Sequence, residues 1–349
     1  MSAQSFSFKD RIVEFEEPTL YVDNRARRRS GHMTHAMAEF GPNEFIDFNS
    51  NCSAVRWGGH MPYGWVEYRV SRDGGKTYSE PKELPYSKES FLDGIYTISV
   101  EKAVGLDDGS VVAFCLRNSA MDPSFCEPWA TPTVIRSFDA GETWTDPVEC
   151  IPYEGRIYDA LARGGVIYVL IFCNKHFLGE TPEHKYRLYK SFDGGKTFEE
   201  ISVIPFETLK RGYGSLLFDE KGDLHAYAYY EIDETVIDHA VSRDEGKTWT
   251  VLEPCAVDKG VRNPQTALLD GVFLLHGRSA STDSFVFYFS DDATHWSKGV
   301  TVAKTVPTGQ YYSNNLNLSD EKGNFLLVQY SESYQEARVN VKHLRIRIR

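Results

Sequence analysis

Four octapeptides repeat one pattern along the chain: SRDGGKTY at 71–78, SFDAGETW at 137–144, SFDGGKTF at 191–198 and SRDEGKTW at 242–249. A shortened copy, SDDATHW, occupies 290–296. A Ser and an Asp two residues apart, then glycine, Thr and an aromatic, is turn chemistry. The carboxylate can accept backbone N–H groups, glycine takes a left-handed backbone, and the aromatic leads into the next strand. On this reading Asp73, Asp139, Asp193, Asp244 and Asp292 build turns and are not catalytic acids.

Successive repeat aspartates lie 66, 54, 51 and 48 residues apart. That period suits four short strands with their turns, the size of one propeller blade. Over 349 residues it predicts six blades, hence an all-β, six-bladed β-propeller with residues 1–349 as one domain. Each blade is expected to begin with an inner strand, near His32, Ile95, Ile157, Tyr213, Asn263 and Tyr312. The 20 Tyr and 21 Phe supply the strand-forming bulk such a core needs. Leu344, Ile346 and Ile348 alternate with Arg345, Arg347 and Arg349, the period of a half-buried strand. The segment 11–15 (RIVEF) is also strand-like, so one terminus is expected to complete the blade begun by the other, leaving no open edge.

The formal charge of −12 argues against a nucleic-acid partner. Any affinity for an acidic ligand must come from arginines gathered locally. No stretch reaches membrane-spanning length, and no basic segment followed by an apolar run marks the start. The chain therefore reads as cytoplasmic, and a trimmed secreted form is compatible with the same residues. Six cysteines lack metal-ligand spacing and read as reduced, buried thiols. No metal or other cofactor is implied.

In a propeller the starts of the inner strands, and the loops joining second to third strands, gather at one mouth. Candidates there are His32, Tyr96, Arg156, Tyr213, Arg262 and Tyr312 at strand starts, with Arg56, His60 and Arg278 on the loops. Arginine forks suit carboxylates, and aromatics suit sugar rings.

The octapeptides are similar to the Asp-box, S-x-D-x-G-x-T-[WYF], of the sialidases and related propellers. Two longer segments extend the resemblance. RNPQTALLDGVFLLHGR at 262–278 resembles the sialidase segment N-E-[PS]-Q-x-x-x-L-x-D-G-x-L-x-x-x-x-R, which puts Arg278 in the place of a carboxylate-binding arginine and Asn263 in that of the glutamate base. QYYSNNLNL at 310–318 is similar to A-Y-S-x-L, which puts Tyr312 at the nucleophile. A phenol suits an anionic anomeric centre, which would repel a carboxylate.

The chain departs from the family elsewhere. Residues 31–36 read GHMTHA where the family has an R-I-P motif, and no arginine lies between Arg278 and Tyr312, where its third arginine is sought. His60 stands nearest the place of the family's acid, and His32 is the candidate base. The resemblance implies a sialidase-like, exo-acting glycoside hydrolase on a sialic or uronic acid-containing glycan end. The mixture of His, Tyr and Arg also resembles ulvan lyases and the rhamnosidases that act next to glucuronic acid, so a uronate lyase or rhamnosidase-type enzyme is a second reading. A non-catalytic binding propeller is a third. For the enzyme readings the partner is an acidic oligosaccharide or glycan, whereas failure to bind any acidic oligosaccharide would favour the third.

Overall fold

A computed structural model describes residues 4–31, 34–54, 63–120, 130–173, 185–279, 282–304, 311–335 and 338–349. Its strands fall into six antiparallel sheets. In the second, Tyr96–Gly105, Val111–Ser119, Thr133–Ser137 and Val148–Glu149 pair in that order. The inner strands Met37–Gly41, Tyr96–Gly105, Gly155–Arg163, Arg211–Phe218, Arg262–Leu269 and Ser313–Asp320 touch one another around a ring, the last against the first. The six-bladed propeller anticipated from the repeat is the fold. The inner strands crowd the axis closely enough that a Cβ on Gly105 would lie 1.5 Å from the Glu39 carbonyl, so only glycine fits there.

Each blade is apolar on both faces because each packs against two neighbours. Between the fifth and sixth blades Phe285, Phe287 and Phe289 meet Leu326, Val328 and Tyr330. Between the third and fourth, Leu170, Phe172 and Leu188 meet Leu216, Ala226 and Tyr229. The seam between the last and first blades has the smallest apolar cluster, formed by Met37, Phe45, Leu318, Phe325 and Leu327. There a buried polar chain supplements it: His343 Nε2 lies 2.9 Å from Asp47 Oδ2, Gln329 donates to Asp47, and His35 Nδ1 meets Gln329 at 2.9 Å. Ring closure runs through the N-terminus, with Val13, Glu14 and Phe15 pairing with Ile348, Arg347 and Ile346. The strand Gln4–Phe8 is added outside.

The repeated octapeptides join third to fourth strands on the rim. In the first, Asp73 Oδ1 accepts from the backbone N–H of Lys76 and of Thr77 at 3.0 and 2.9 Å, and Thr77 Oγ1 donates to Oδ2 at 2.6 Å. Ser71 Oγ donates to Asp73 at 3.0 Å and accepts from Gly75 N–H at 2.8 Å. The copies at Asp193 and Asp244 repeat this geometry within about 0.1–0.3 Å. Every carboxylate oxygen is used within its own turn, away from the axis.

Candidate active site

The inner strands run the same way, so the N-terminal ends of the third to sixth gather at one mouth. Four of the six inner strands carry a β-bulge at the same level, and a bulge re-aims a side chain. The pairing skips Glu101 in the second blade, Tyr158 in the third, Gly212 and Tyr213 in the fourth, and Asn263 and Pro264 in the fifth. Asn263 takes φ +57° to make its turn. In the sixth blade the strand starts just after Tyr312, and Tyr311 takes φ +63°. Backbone bonds from Tyr311 N–H to the Ser331 carbonyl and from Ser331 N–H to the Tyr312 carbonyl, both 3.0 Å, fix this corner. It splits the tyrosine pair: Tyr311 stacks on Phe285 in the core, while Tyr312 reaches the mouth.

The phenol oxygens of Tyr312 and Tyr213 lie 3.3 Å apart. Arg156 Nη1 donates to Tyr213 Oη at 3.5 Å, and its guanidinium sits 4.9 Å from the Tyr213 ring. The Arg278 guanidinium stands 5.0 Å from the Tyr312 ring, and that of Arg262 5.5 Å from the Tyr229 ring. Tyr158 and Tyr229 complete an aromatic wall around Tyr213, with ring centroids at 5.5 and 5.9 Å. Three guanidinium groups therefore surround one phenol pair.

Their charges are balanced differently. Arg156 gives Nε and Nη2 to Glu101 Oε2 at 3.0 and 2.9 Å, in a pair whose side chains are 3% and 10% exposed. Burial pushes the Glu101 carboxyl above the usual carboxylate range, with Arg156 pulling it back. Arg262 has Glu234 at 4.0 Å. Burial opposes the Arg262 charge, but the phenols of Tyr229, Tyr213 and Tyr312, with Glu234, hold its pKa above the ordinary arginine value. Among the described residues no carboxylate lies within ion-pair reach of Arg278, and its buried Nε makes no hydrogen bond. Asn263 Oδ1 is likewise buried without a hydrogen-bond partner.

Of the residues singled out from sequence, Tyr312, Tyr213, Arg156, Arg262, Arg278 and Asn263 all stand at this mouth. Tyr96 opens the inner strand of the second blade. Its strand starts five residues before Glu101, about 16 Å at strand rise, and there it packs under Arg117 at 5.0 Å. His32, Arg56 and His60 lie outside the described residues. Asn263 makes no hydrogen bond to Tyr312. A third arginine at the mouth comes from the third blade, as Arg156.

Sequence reasoning missed Glu101, Tyr229 and Glu234. For Glu101 a signal existed, because two adjacent charges, Glu101 and Lys102, interrupt the apolar strand ISVEKAV, and strand interiors seldom bury charge without a purpose. Lys102 turns into the axis, where it meets Asp159 Oδ1 and Asn314 Oδ1, both at 3.0 Å, and Gln265. This group closes the axis below the mouth. A cavity of about 460 Å³ opens beyond it, at the opposite end, between Glu39, Asp107, Leu161 and Leu316. The polar side chains on its floor, Lys102 and Asp159, are already matched to each other. Among the described residues no group of three or more His, Cys, Asp or Glu is arranged to hold a metal ion, and no helix is long and apolar enough to cross a membrane.

No protein-family model matches the chain, and no curated protein matches it in sequence. Solved structures do. A Dyadobacter fermentans protein of unknown function superposes with a TM-score of 0.76 at 18% identity, over 97% of this chain and 99% of that one. A Hadza microbial sialidase gives 0.68 at 12%, over 94% and 68%. The Penicillium chrysogenum α-L-arabinanase complexed with arabinobiose gives 0.61 at 14%, over 94% and 98%. At such identities the likeness is one of fold, and it agrees with the six sheets, their ring and their rim turns: the chain is a divergent six-bladed propeller of the sialidase-like fold.

Proposed function

We propose that the protein is a glycoside hydrolase that binds the acidic end of a glycan at this mouth, with Arg278 holding the carboxylate and Tyr312 as the reacting side chain. One observation carries the reading. Arg156 faces Glu101 and Arg262 faces Glu234, whereas Arg278, beside the Tyr312 ring, has no carboxylate within ion-pair reach among the described residues. In a chain of net charge −12, an unmatched guanidinium in a half-buried aromatic mouth is a place for a ligand's anion, and the planar fork fits a carboxylate. The arabinanase of the same fold was solved with arabinobiose, a neutral disaccharide; the charge at Arg278 favours an acidic sugar here.

A panel of sialosides, uronate-containing oligosaccharides and neutral arabino-oligosaccharides, scored for released reducing ends, tests this. Release from the acidic members alone is expected. Equal release from neutral members removes the role of Arg278, and acidic glycans that bind without being cleaved make the protein a binding propeller. A second reading draws on Asn263, which cannot act as the base a phenol nucleophile needs. It is a lyase in which an arginine neutralises a uronate and a phenol serves in proton transfer. Absorbance from unsaturated uronate ends in the same panel separates it from hydrolysis.

A further inference from the structure

Four side chains at the mouth stand in series, and the series has a direction. Glu101 Oε2 accepts two bonds from Arg156, at 3.0 and 2.9 Å, which fixes the guanidinium plane and turns Nη1 to Tyr213, 3.5 Å away. Tyr213 Oη then meets Tyr312 Oη at 3.3 Å. A guanidinium only donates, so the Tyr213 oxygen is the acceptor toward Arg156. A phenol that accepts from a cation becomes a stronger donor and a poorer acceptor. That polarisation favours Tyr213 as the donor and Tyr312 as the acceptor in the bond between the two phenols. With Tyr213 as the donor, the hydrogen of Tyr312 points away from Tyr213. The outer bonds of the series are long, as such bonds are in unliganded sites that tighten on substrate.

We infer that Glu101 is a positioning residue which, through Arg156 and Tyr213, sets Tyr312 to deliver a proton to the substrate rather than to attack it. The inference rests on the reading of Tyr312 as the reacting side chain. In the step it implies, the Tyr312 proton passes to the glycosidic oxygen as the bond from that oxygen to the anomeric carbon breaks, the electron pair staying on oxygen. The anomeric carbon takes the oxygen of a water molecule, and a proton of that water returns to the phenolate. Water is the only co-reactant. A glutamate at position 263 is then unnecessary, since no phenol has to be deprotonated before the bond breaks. The placement of Glu101 fits the role: it is the bulged residue of its strand, and its Oε1 is buried with no hydrogen-bond partner. All of its bonding goes to one guanidinium.

Leaving-group chemistry separates a proton donor from a nucleophile. On an acidic glycoside with a sugar leaving group, Tyr312→Phe should lower kcat by about 100- to 10,000-fold. On the matching nitrophenyl glycoside, whose leaving group needs no proton, the loss should stay under about tenfold. Equal losses on both would overturn the donor role. Glu101→Gln should lower kcat on the sugar leaving group by about tenfold or more with KM unmoved, and Glu101→Asp should recover part of it. A merely structural ion pair would lower thermal stability and leave the ratio of the two substrates unchanged. A substrate-free readout keeps the matter decidable. In protein labelled with ¹³Cζ-tyrosine, the Tyr312 resonance, assigned by its loss in Tyr312→Phe, should shift in both Glu101→Gln and Tyr213→Phe. If Glu101→Gln does not fold, Tyr213→Phe, which removes a single oxygen, still tests the series. A Tyr312 resonance unmoved by either overturns the inference. Wild-type protein that cleaves no acidic glycoside would sink the proposed function, and the resonance test would then decide the series by itself.

Discussion

The rim turns and the axial mouth use the same residue types in opposite ways. On the rim, each Asp spends its oxygens within four residues of itself: Asp193 binds Ser191, Lys196 and Thr197. At the mouth, partners come from different blades: Glu101 to Arg156 spans 55 residues and Tyr213 to Tyr312 spans 99. The four full rim octapeptides leave no buried side-chain polar atom without a hydrogen-bond partner. The mouth leaves the Arg278 Nε, the Glu101 Oε1 and the Asn263 Oδ1 buried and without hydrogen-bond partners. Polar groups left so in a native fold are stability withheld. Local, complete satisfaction is what a structural turn needs, and incomplete satisfaction across blades is what a ligand site needs.

The largest expected difference between the two regions lies in binding. Arg278→Ala should weaken affinity for an acidic glycan by about 2–5 kcal/mol, leaving the ligand's charge in the mouth without its partner. Its melting temperature should stay near that of the wild type, because among the described residues no carboxylate depends on Arg278. Calorimetric titration and thermal melts on one preparation measure both. Loss of stability with unchanged affinity would move Arg278 into the structural class and erase the contrast.

Acid separates the regions next. Two interior histidines are held neutral. Burial pushes His276 down to about 3 where it meets Ser313 and Asn315, and His239 to about 3 beside His225 and Cys255. Their folded pKa lies below the unfolded value of about 6.5. The stability they contribute is therefore complete above pH 6.5 and is lost as pH falls toward 3, by roughly a few kcal/mol each. The rim carboxylates begin to lose theirs only below their unfolded pKa of about 4, since bonds from Thr248 and Ser242 hold Asp244 at about 2, and those of Thr197, against some burial, hold Asp193 there. Chemical denaturation from pH 7 to 3 should show the decline starting near 6.5. His276→Gln should flatten it, and a decline confined below pH 4 would assign acid lability to the rim instead.

A smaller effect is expected on the rim itself. Asp193→Ala removes four hydrogen bonds from a half-exposed turn, so solvent replaces much of what is lost and the destabilisation should be about 1 kcal/mol. Glycan affinity should not change. A fall in affinity would mean that rim and mouth are coupled through the blade.

These regions also differed in how far the sequence revealed them. The rim was legible because every determinant of a turn lies within eight residues and recurs at a blade's spacing. The closing strand was legible from the alternation of Leu344, Ile346 and Ile348. The mouth was legible where a strand start coincided with an unusual residue, as at Arg156, Tyr213 and Tyr312, and where a segment resembled the sialidases, as at Asn263 and Arg278. Glu101 was legible only as a charge interrupting an apolar strand, and the bulge that aims it at Arg156 is announced by no residue type. The partner of Arg156 lies on another blade, and single-sequence spacing carries no information about which blade residues share a level. Sequence periodicity specifies the ring, and irregularities within it specify the site.

Asn263 is where the two logics meet, and the smallest effect is expected there. It holds φ +57° at a bulge, a conformation that glycine adopts without strain and that asparagine tolerates better than other residues. Were it kept only for the backbone, glycine would serve as well. Asn263→Ala, with a Cβ and no polar compensation, should lower stability by about 1 kcal/mol. Asn263→Gly should be neutral or slightly stabilising, because it removes both the strain and the buried, unpaired Oδ1. If that oxygen is kept for the ligand, the glycine variant should nevertheless bind an acidic glycan about 3- to 10-fold more weakly, the worth of one neutral hydrogen bond. A glycine variant that gains stability and loses affinity puts Asn263 with Arg278 among groups held unsatisfied for a ligand. One that keeps full affinity puts it with the rim, as a residue whose work ends at its own turn.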